Sequence, residues 1–279
     1  MRYHGAGMGR DTAEDVLERE RRFHDGWASG TEATAVRVRA AFEAITAPEN
    51  RLILRLMGDL RDRRVLDLGS GLGEAATYFA LQGARVTATD LSPEMCALAQ
   101  ETGRRHGVTI DAVATPVERL SVPEASFDLV YGANLLHHVS DLDATLAAVA
   151  RALRPGGHCF FWDPLAYNPA INVYRRMATA VRTSDERPLR FEVLALFRRH
   201  FADVRHREFW LTTLLLFAKY YLVDRVHPNA DRYWKRILDE TPRTIGWWFL
   251  PLQRVDDLLL SLPLVRRLAW NMVVWARKA

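Results

Sequence analysis

Two features of the chain have residue types and spacing that define a chemistry. The first is Val65-Leu66-Asp67-Leu68-Gly69-Ser70-Gly71-Leu72-Gly73-Glu74, a glycine-rich turn between an apolar run and a helical one. Glycines there admit positive φ and remove the Cβ that would hold a ligand off the backbone. The helix beginning at Gly73 then points free N–H groups into the turn. The second feature is Asp90, about twenty residues downstream at the end of the next apolar run, where a carboxylate can accept hydrogen bonds from a ribose diol. The glycines are spaced G-x-G-x-G, and Glu74 stands where a dinucleotide fingerprint has its third small residue. Asp67, at the mouth of the turn, would repel a pyrophosphate and suits a cationic amino group. Both points favour S-adenosylmethionine (SAM) over NAD.

Elements that position these groups alternate along the chain. Arg64 to Leu68 reads as a strand, Glu74 to Gln82 as a helix, Ala84 to Thr89 as a strand and Pro93 to His106 as a helix. Val108 to Val113 and Phe127 to Gly132 are further strands. A helix over Asp141 to Leu153 then stops at Arg154-Pro155-Gly156-Gly157, and His158 to Trp162 is the fifth strand. This rhythm predicts a doubly wound α/β sheet buried between helical layers. Ahead of it, Ala33 to Leu60 has helical periodicity. Beyond Asp163 the chain turns helical and aromatic, with late strand candidates at Val204 to Leu211 and Trp270 to Ala276. The predicted organisation is an N-terminal helical extension over residues 1–30 and one α/β domain over residues 31–279. A helical, aromatic insertion is expected at about residues 212–265.

Composition narrows the partners. A net charge of +4, with arginines scattered among acids, gives no long basic arm and argues against nucleic acid as a ligand. Cys96 and Cys159 lack metal-ligand spacing, so no metal site is expected and both read as buried thiols of a reducing compartment. The polar start shows no signal peptide, and Phe209 to Val223, interrupted by Lys219, is too short to span a bilayer. A cytoplasmic protein is expected. Asp11 to Arg22, mostly charged and N-capped by Asp11 or Thr12, has too little apolar surface for a core helix. It is predicted to dock on a second copy of the chain in a homo-oligomer.

The run VLDLGSGLGEAATYFALQGARVTATDLSPEMCALAQ resembles the first two motifs of class I SAM-dependent methyltransferases. FDLVYGANLLHHVSD followed by LRPGG resembles their fourth-strand segment and the turn before strand five. The resemblance covers roughly Arg61 to Asp163. It implies a seven-stranded sheet of order 3-2-1-4-5-7-6 with strand seven antiparallel. It also implies that Asp67, Gly69, Ser70 and Gly71 lie near the methionine part of SAM, that Asp90 holds the ribose, and that Leu91 and Met95 pack on adenine. Asn134 and Leu135 would line the methionyl end. Family members often carry an acid just after strand three. Here the sequence is Ala114-Thr115-Pro116-Val117-Glu118, and Pro116 offers neither a side-chain acceptor nor an N–H, which leaves Thr115, the Val117 backbone or Glu118 to meet the adenine amino group.

Methyl transfer needs close placement of the acceptor, with a general base for O or N acceptors and cation stabilisation for an alkene. Candidate catalytic groups are His137 and His138 just past strand four, Tyr167 above the sheet, and His158 at the start of strand five. The acceptor pocket is expected to draw on His24, Trp27, Tyr167, Phe209, Tyr220, Tyr221, Trp247 and Trp248, an aromatic set suited to a lipophilic small molecule. Asp163 to Leu189 resembles bacterial methyltransferases of secondary metabolism, among them enzymes that C-methylate the prenyl chain of an indole alkaloid. Competing readings are an O- or N-methyltransferase of a natural product, and a lipid or quinone enzyme that touches a membrane surface through Leu252 to Trp275. A third is a binding protein that keeps the fold without transfer.

Overall fold

The computed structural model describes residues 12–183 and 185–279. In chain order, helices α1 (Ala13–Ser29), α2 (Ala40–Glu43) and α3 (Pro48–Met57) precede strand β1 (Arg64–Leu68). Then come α4 (Glu74–Leu81), β2 (Arg85–Asp90), α5 (Pro93–Arg105), β3 (Asp111–Ala114), β4 (Phe127–Ala133), α6 (Leu142–Ala152) and β5 (Leu153–Pro164). Helices α7 (Pro169–Met177) and α8 (Val193–His200) lead to β6 (Ala202–Phe209). An insertion of α9 (Leu215–Ala218), a π-helical turn (Lys219–Val223), α10 (Tyr233–Arg236) and α11 (Pro242–Leu259) separates it from β7 (Asn271–Arg277).

The strands form one seven-stranded sheet in the order β3-β2-β1-β4-β5-β7-β6, with β7 antiparallel to both its neighbours. This is the strand order that the sequence resemblance implies. Alternation along the strands divides the core. Val65, Tyr131, Phe160 and Val273 turn toward the side of α4, α5 and the insertion, whereas Leu66, Val130, Phe161 and Val274 turn toward α6 and α8. Gly73 is a packing glycine rather than a ligand glycine. At φ +83° it caps α4, and a Cβ there would lie 2.6 Å from the Ala99 Cα of α5.

Three boundaries differ from expectation. The periodicity over Ala33 to Leu60 breaks into short helices because Pro48 starts a new one at its first turn and Gly58, at φ +70°, ends it. β5 runs through the Gly156-Gly157 pair, its register shifting against β4 between Phe127 and Leu129. β3 begins later than predicted, at Asp111. Cys96 and Cys159 are both buried free thiols.

The N-terminal helix, expected to dock on a second copy of the chain, makes contacts within its own fold. Thr12 and Asp15 form a capping box at its start, while Asp11 lies outside the described residues. The helix docks on its own chain. Arg19 Nε meets Asp185 at 2.7 Å, Glu14 pairs with Arg119 at 2.8 Å, and Ser92 Oγ donates to Asp25 at 2.5 Å. These three contacts tie the helix to partners distant in sequence but close in the fold.

Candidate functional site

Asp90 ends β2 at the carboxyl edge of the sheet, and both its oxygens are already fixed. Oδ2 accepts the Gly71 N–H at 2.9 Å and Oδ1 the Ser92 N–H at 3.0 Å. Each oxygen keeps a free lone pair, so the carboxylate is held in place and can still accept two hydroxyls. Burial raises its pKa, partly offset by the Ser92 N–H. Gly71, at φ +51°, faces open space, with nothing within 4 Å of where a Cβ would project. Next to it, Asp67 Oδ2 and Ser70 Oγ are buried without hydrogen-bond partners. Asp67 sits well above the usual carboxylate range because burial, and then the nearby Asp90 and Glu74 charges, oppose its ionisation. A ligand bringing an ammonium and a ribose diol would satisfy all of these groups, which is the donor set SAM carries.

A cavity of about 270 Å³ runs from this turn to an aromatic chamber. Asp67, Gly69, Ser70, Gly71, Asp90, Leu91, Thr115, Val117, Asn134 and Leu135 line it, as do His24, Trp27, His137 and His138. Thr115 and Val117 sit beside Pro116 and Glu118, so the wall after β3 offers the alternatives named above together. Met95 does not reach the cavity. It is fully buried in α5, where its N–H bonds the Ser92 cap. Helix α1 roofs the opening, with Trp27 edge-on to Trp234 at 5.5 Å.

Residues 66–161 match the family described as a methyltransferase domain. A ubiquinone biosynthesis O-methyltransferase of Bordetella avium is 38% identical over 118 residues, covering 42% of this chain and 48% of that protein. An enzyme of the same name from Methylocella silvestris is 33% identical over 165 residues, covering 56% of this chain and 64% of its own length. The chain thus spans about half the length of the curated relatives it matches. Among solved structures, phosphoethanolamine N-methyltransferase 1 of Haemonchus contortus, in complex with phosphoethanolamine and S-adenosylhomocysteine, superposes with a TM-score of 0.53 at 24% identity. That match covers 68% of this chain and 41% of the nematode protein. N-methyltransferase NodS of Bradyrhizobium japonicum superposes with a TM-score of 0.53 at 16% identity over 96% of this chain and 99% of its own. These likenesses are to the methyltransferase fold.

In the turn after β4 the two adjacent histidines differ. His137 is buried, and its Nδ1 lies 2.7 Å from Asp163 Oδ1 while its N–H bonds the same oxygen at 3.2 Å. Burial pushes Asp163 up and His137 well below its ordinary value, so it opposes charge on both partners of a pair that braces β5 against the turn after β4. His138 instead faces α1, its Nδ1 3.1 Å from Glu20 Oε2, and His24 Nε2 is 3.6 Å from the same oxygen. Burial opposes ionisation of Glu20, but hydrogen bonding to His138 and His24 outweighs it and holds the carboxyl well below the usual range. Glu20, His24 and His138 present donor atoms within 4.8 Å of one another, a spacing that would also suit a divalent cation.

Several expected acceptor residues lie elsewhere. His158 is in the half of β5 remote from the carboxyl edge, paired with Arg277 of β7. Tyr167 packs on Phe191, its hydroxyl held between Glu192 and the Phe191 N–H, because Leu165 pairs with Leu189 and turns this segment to the other face. Phe209 and Tyr220 are buried core, Trp248 is half-buried against it, Tyr221 is exposed, and Trp247 is 80% exposed. The chamber is built instead from Trp162, Tyr174, Trp210, Trp270 and the polar pair Glu49 and Asn50. Asn50 Oδ1 accepts the Tyr131 hydroxyl at 2.8 Å and the Trp162 indole N–H at 2.9 Å, which closes this network internally. The one signal for it in the sequence was Glu49-Asn50, two polar residues in the first turn of a helix whose Leu52, Ile53 and Met57 face the core.

Proposed function

We propose that this chain is a SAM-dependent methyltransferase whose acceptor is a lipophilic small molecule. The observation that carries the reading is the Asp90–Gly71 hydrogen bond, which braces a carboxylate beside an open glycine at one end of a cavity whose other end is walled by indoles. When bound, SAM supplies an electrophilic methyl group. Asp90 holds the ribose, Asp67 and Ser70 meet the amino-acid end, and Leu91 and Val117 flank the base. Replacing Asp90 with Ala removes a charge-assisted contact, so SAM affinity should fall by about 1.5–3 kcal/mol, roughly 10- to 150-fold. Calorimetry checks this, and unchanged SAM affinity would remove the basis of the assignment.

Many curated relatives are named O-methyltransferases of ubiquinone biosynthesis. That supports an oxygen acceptor on an apolar scaffold, and it lends nothing to C-methylation of a prenylated indole. A second reading places the enzyme on a membrane surface, where such acceptors collect. Trp247, Leu258 and Leu264 are 80%, 71% and 81% exposed along and just after α11, with Arg243, Arg254 and Arg267 exposed nearby. Among the described residues no helix is long and apolar enough to cross a membrane, so this contact is peripheral. Vesicles containing anionic lipid should float the protein, and Trp247→Ser with Leu258→Ser should abolish flotation. A protein that stays with the soluble fraction at low salt would end this second reading.

A further inference from the structure

Glu49 is the group in the aromatic chamber that the fold does not explain. It sits in the first turn of α3 and is 4% exposed, and it lines the cavity together with Trp210, Trp270 and Asn271. Its Oε1 accepts the Asn271 Nδ2–H at 2.7 Å. The Asn271 Oδ1 and the Trp210 Nε1–H are themselves buried without hydrogen-bond partners. Asn271 thus steadies the carboxyl while its own Oδ1 stays open to the cavity wall, unlike the closed Asn50–Tyr131–Trp162 network beside it. A carboxyl buried this deeply without an ion pair costs stability unless a ligand uses it.

The surrounding charges constrain that ligand. Facing Glu49, Asn271 of β7 and Trp210 after β6 are neutral, and the one charge acting on it is Arg51 of its own helix. Basic groups sit farther along the cavity. Arg182 pairs with Glu186, Lys235 pairs with Glu74, and Arg232 lies over the Trp27 ring at 4.4 Å. These bases are paired or stacked, so the passage offers no free positive charge to an anionic acceptor and admits a neutral one carrying hydroxyl groups.

Building on the methyltransferase reading, we infer that Glu49 is the general base of the reaction and that the acceptor presents a phenol-like hydroxyl to it from an apolar ring. The hydroxyl proton passes to the Glu49 carboxylate as the oxygen forms its bond to the methyl carbon. The methyl–sulfur bond breaks with its electron pair going to sulfur, leaving a neutral ether and a neutral thioether. Asn271 orients the carboxylate, and the indoles exclude water that would compete for it. Burial pushes the Glu49 carboxyl up to about 7, partly offset by the Asn271 hydrogen bond, which matches a base working near neutrality.

The test loads the full chain with S-adenosylhomocysteine and measures binding of hexylcatechol and of its dimethyl ether by tryptophan quenching. Wild type should prefer the catechol at least ten-fold, and Glu49→Gln should lose that preference while keeping its thermal midpoint and its S-adenosylhomocysteine affinity. With SAM, turnover of hexylcatechol should rise with pH through about 7 and then level. Glu49→Gln should remove that limb and lower kcat by roughly 10²- to 10⁴-fold, and Glu49→Asp should restore part of the limb. Equal binding of catechol and ether by wild type, or wild-type behaviour of Glu49→Gln in either assay, overturns the role of Glu49. Failure of S-adenosylhomocysteine to bind at all overturns the methyltransferase reading instead.

Discussion

Gly71→Val should abolish measurable SAM binding while leaving a folded protein. The Cβ direction at Gly71 meets no protein atom within 4 Å, so the branched side chain projects into the space that the proposed cofactor must fill. It cannot swing aside, because its own N–H is tied to Asp90 at 2.9 Å and a β-branched residue has few rotamers. The backbone at φ +51° adds left-handed strain of about 1–2 kcal/mol. Displacing only about two or three kilocalories of contact already weakens binding by roughly 30- to 150-fold, and exclusion of the ligand from the turn weakens it further. Calorimetry gives the affinity and circular dichroism the fold. A valine variant that binds SAM normally would show that the turn does not approach the ligand.

Asp256→Ala should be the most damaging single change outside the cleft. Asp256 is buried in α11, and its two oxygens accept five hydrogen bonds from one short turn. The Leu211, Thr212 and Thr213 N–H groups lie at 3.0, 2.6 and 3.3 Å, and the two threonine hydroxyls each at 2.6 Å. Alanine leaves these donors buried and unpaired, at about 1–3 kcal/mol for each that water cannot reach. Partial relaxation should hold the total to about 3–5 kcal/mol, a fall in Tm of roughly 10 °C for a chain this long. Asp256→Asn, which keeps the shape and loses the charge, should fall between. A shift of only a degree or two for Asp256→Ala would mean that α11 is held by its apolar face alone.

What the sequence reveals depends on whether a feature is local. The strands and the glycine turn were legible because apolar runs, glycines and Asp90 lie within a few dozen residues and each has a local physical signature. The chamber was not. Glu49, Tyr131, Trp162, Trp210 and Asn271 come from five separate stretches, and no spacing links them. Phe209 and Trp210 show how fine the distinction is. They are neighbours, yet the chain leaves β6 at Phe209 and turns at Trp210 with φ +68°, so the first enters the core and the second lines the cavity. The intrachain docking of helix α1 was illegible for a related reason. A highly charged helix shows no docking face until the positions of Asp185, Arg119 and Ser92 are known. The exposed Trp247 shows the opposite error, since aromatic content alone does not say which face of α11 meets the body of the protein.

The fastening of α1 has a kinetic side. The glycine-turn end of the cavity lies beside this helix, which contributes Leu17, Glu20, Phe23, His24 and Trp27 to its wall. Its outer ties, Arg19 to Asp185 and Glu14 to Arg119, are solvent-exposed ion pairs, each contributing about 1 kcal/mol or less. Salt screens such pairs over about 8 Å at physiological ionic strength. The dwell time of a spent nucleoside would therefore shorten as salt rises, making the helix a latch set by the surrounding electrolyte. Below that latch, the buried aromatic walls would keep their hold on the acceptor, and the two ligands of one turnover would respond to the same solution on different clocks.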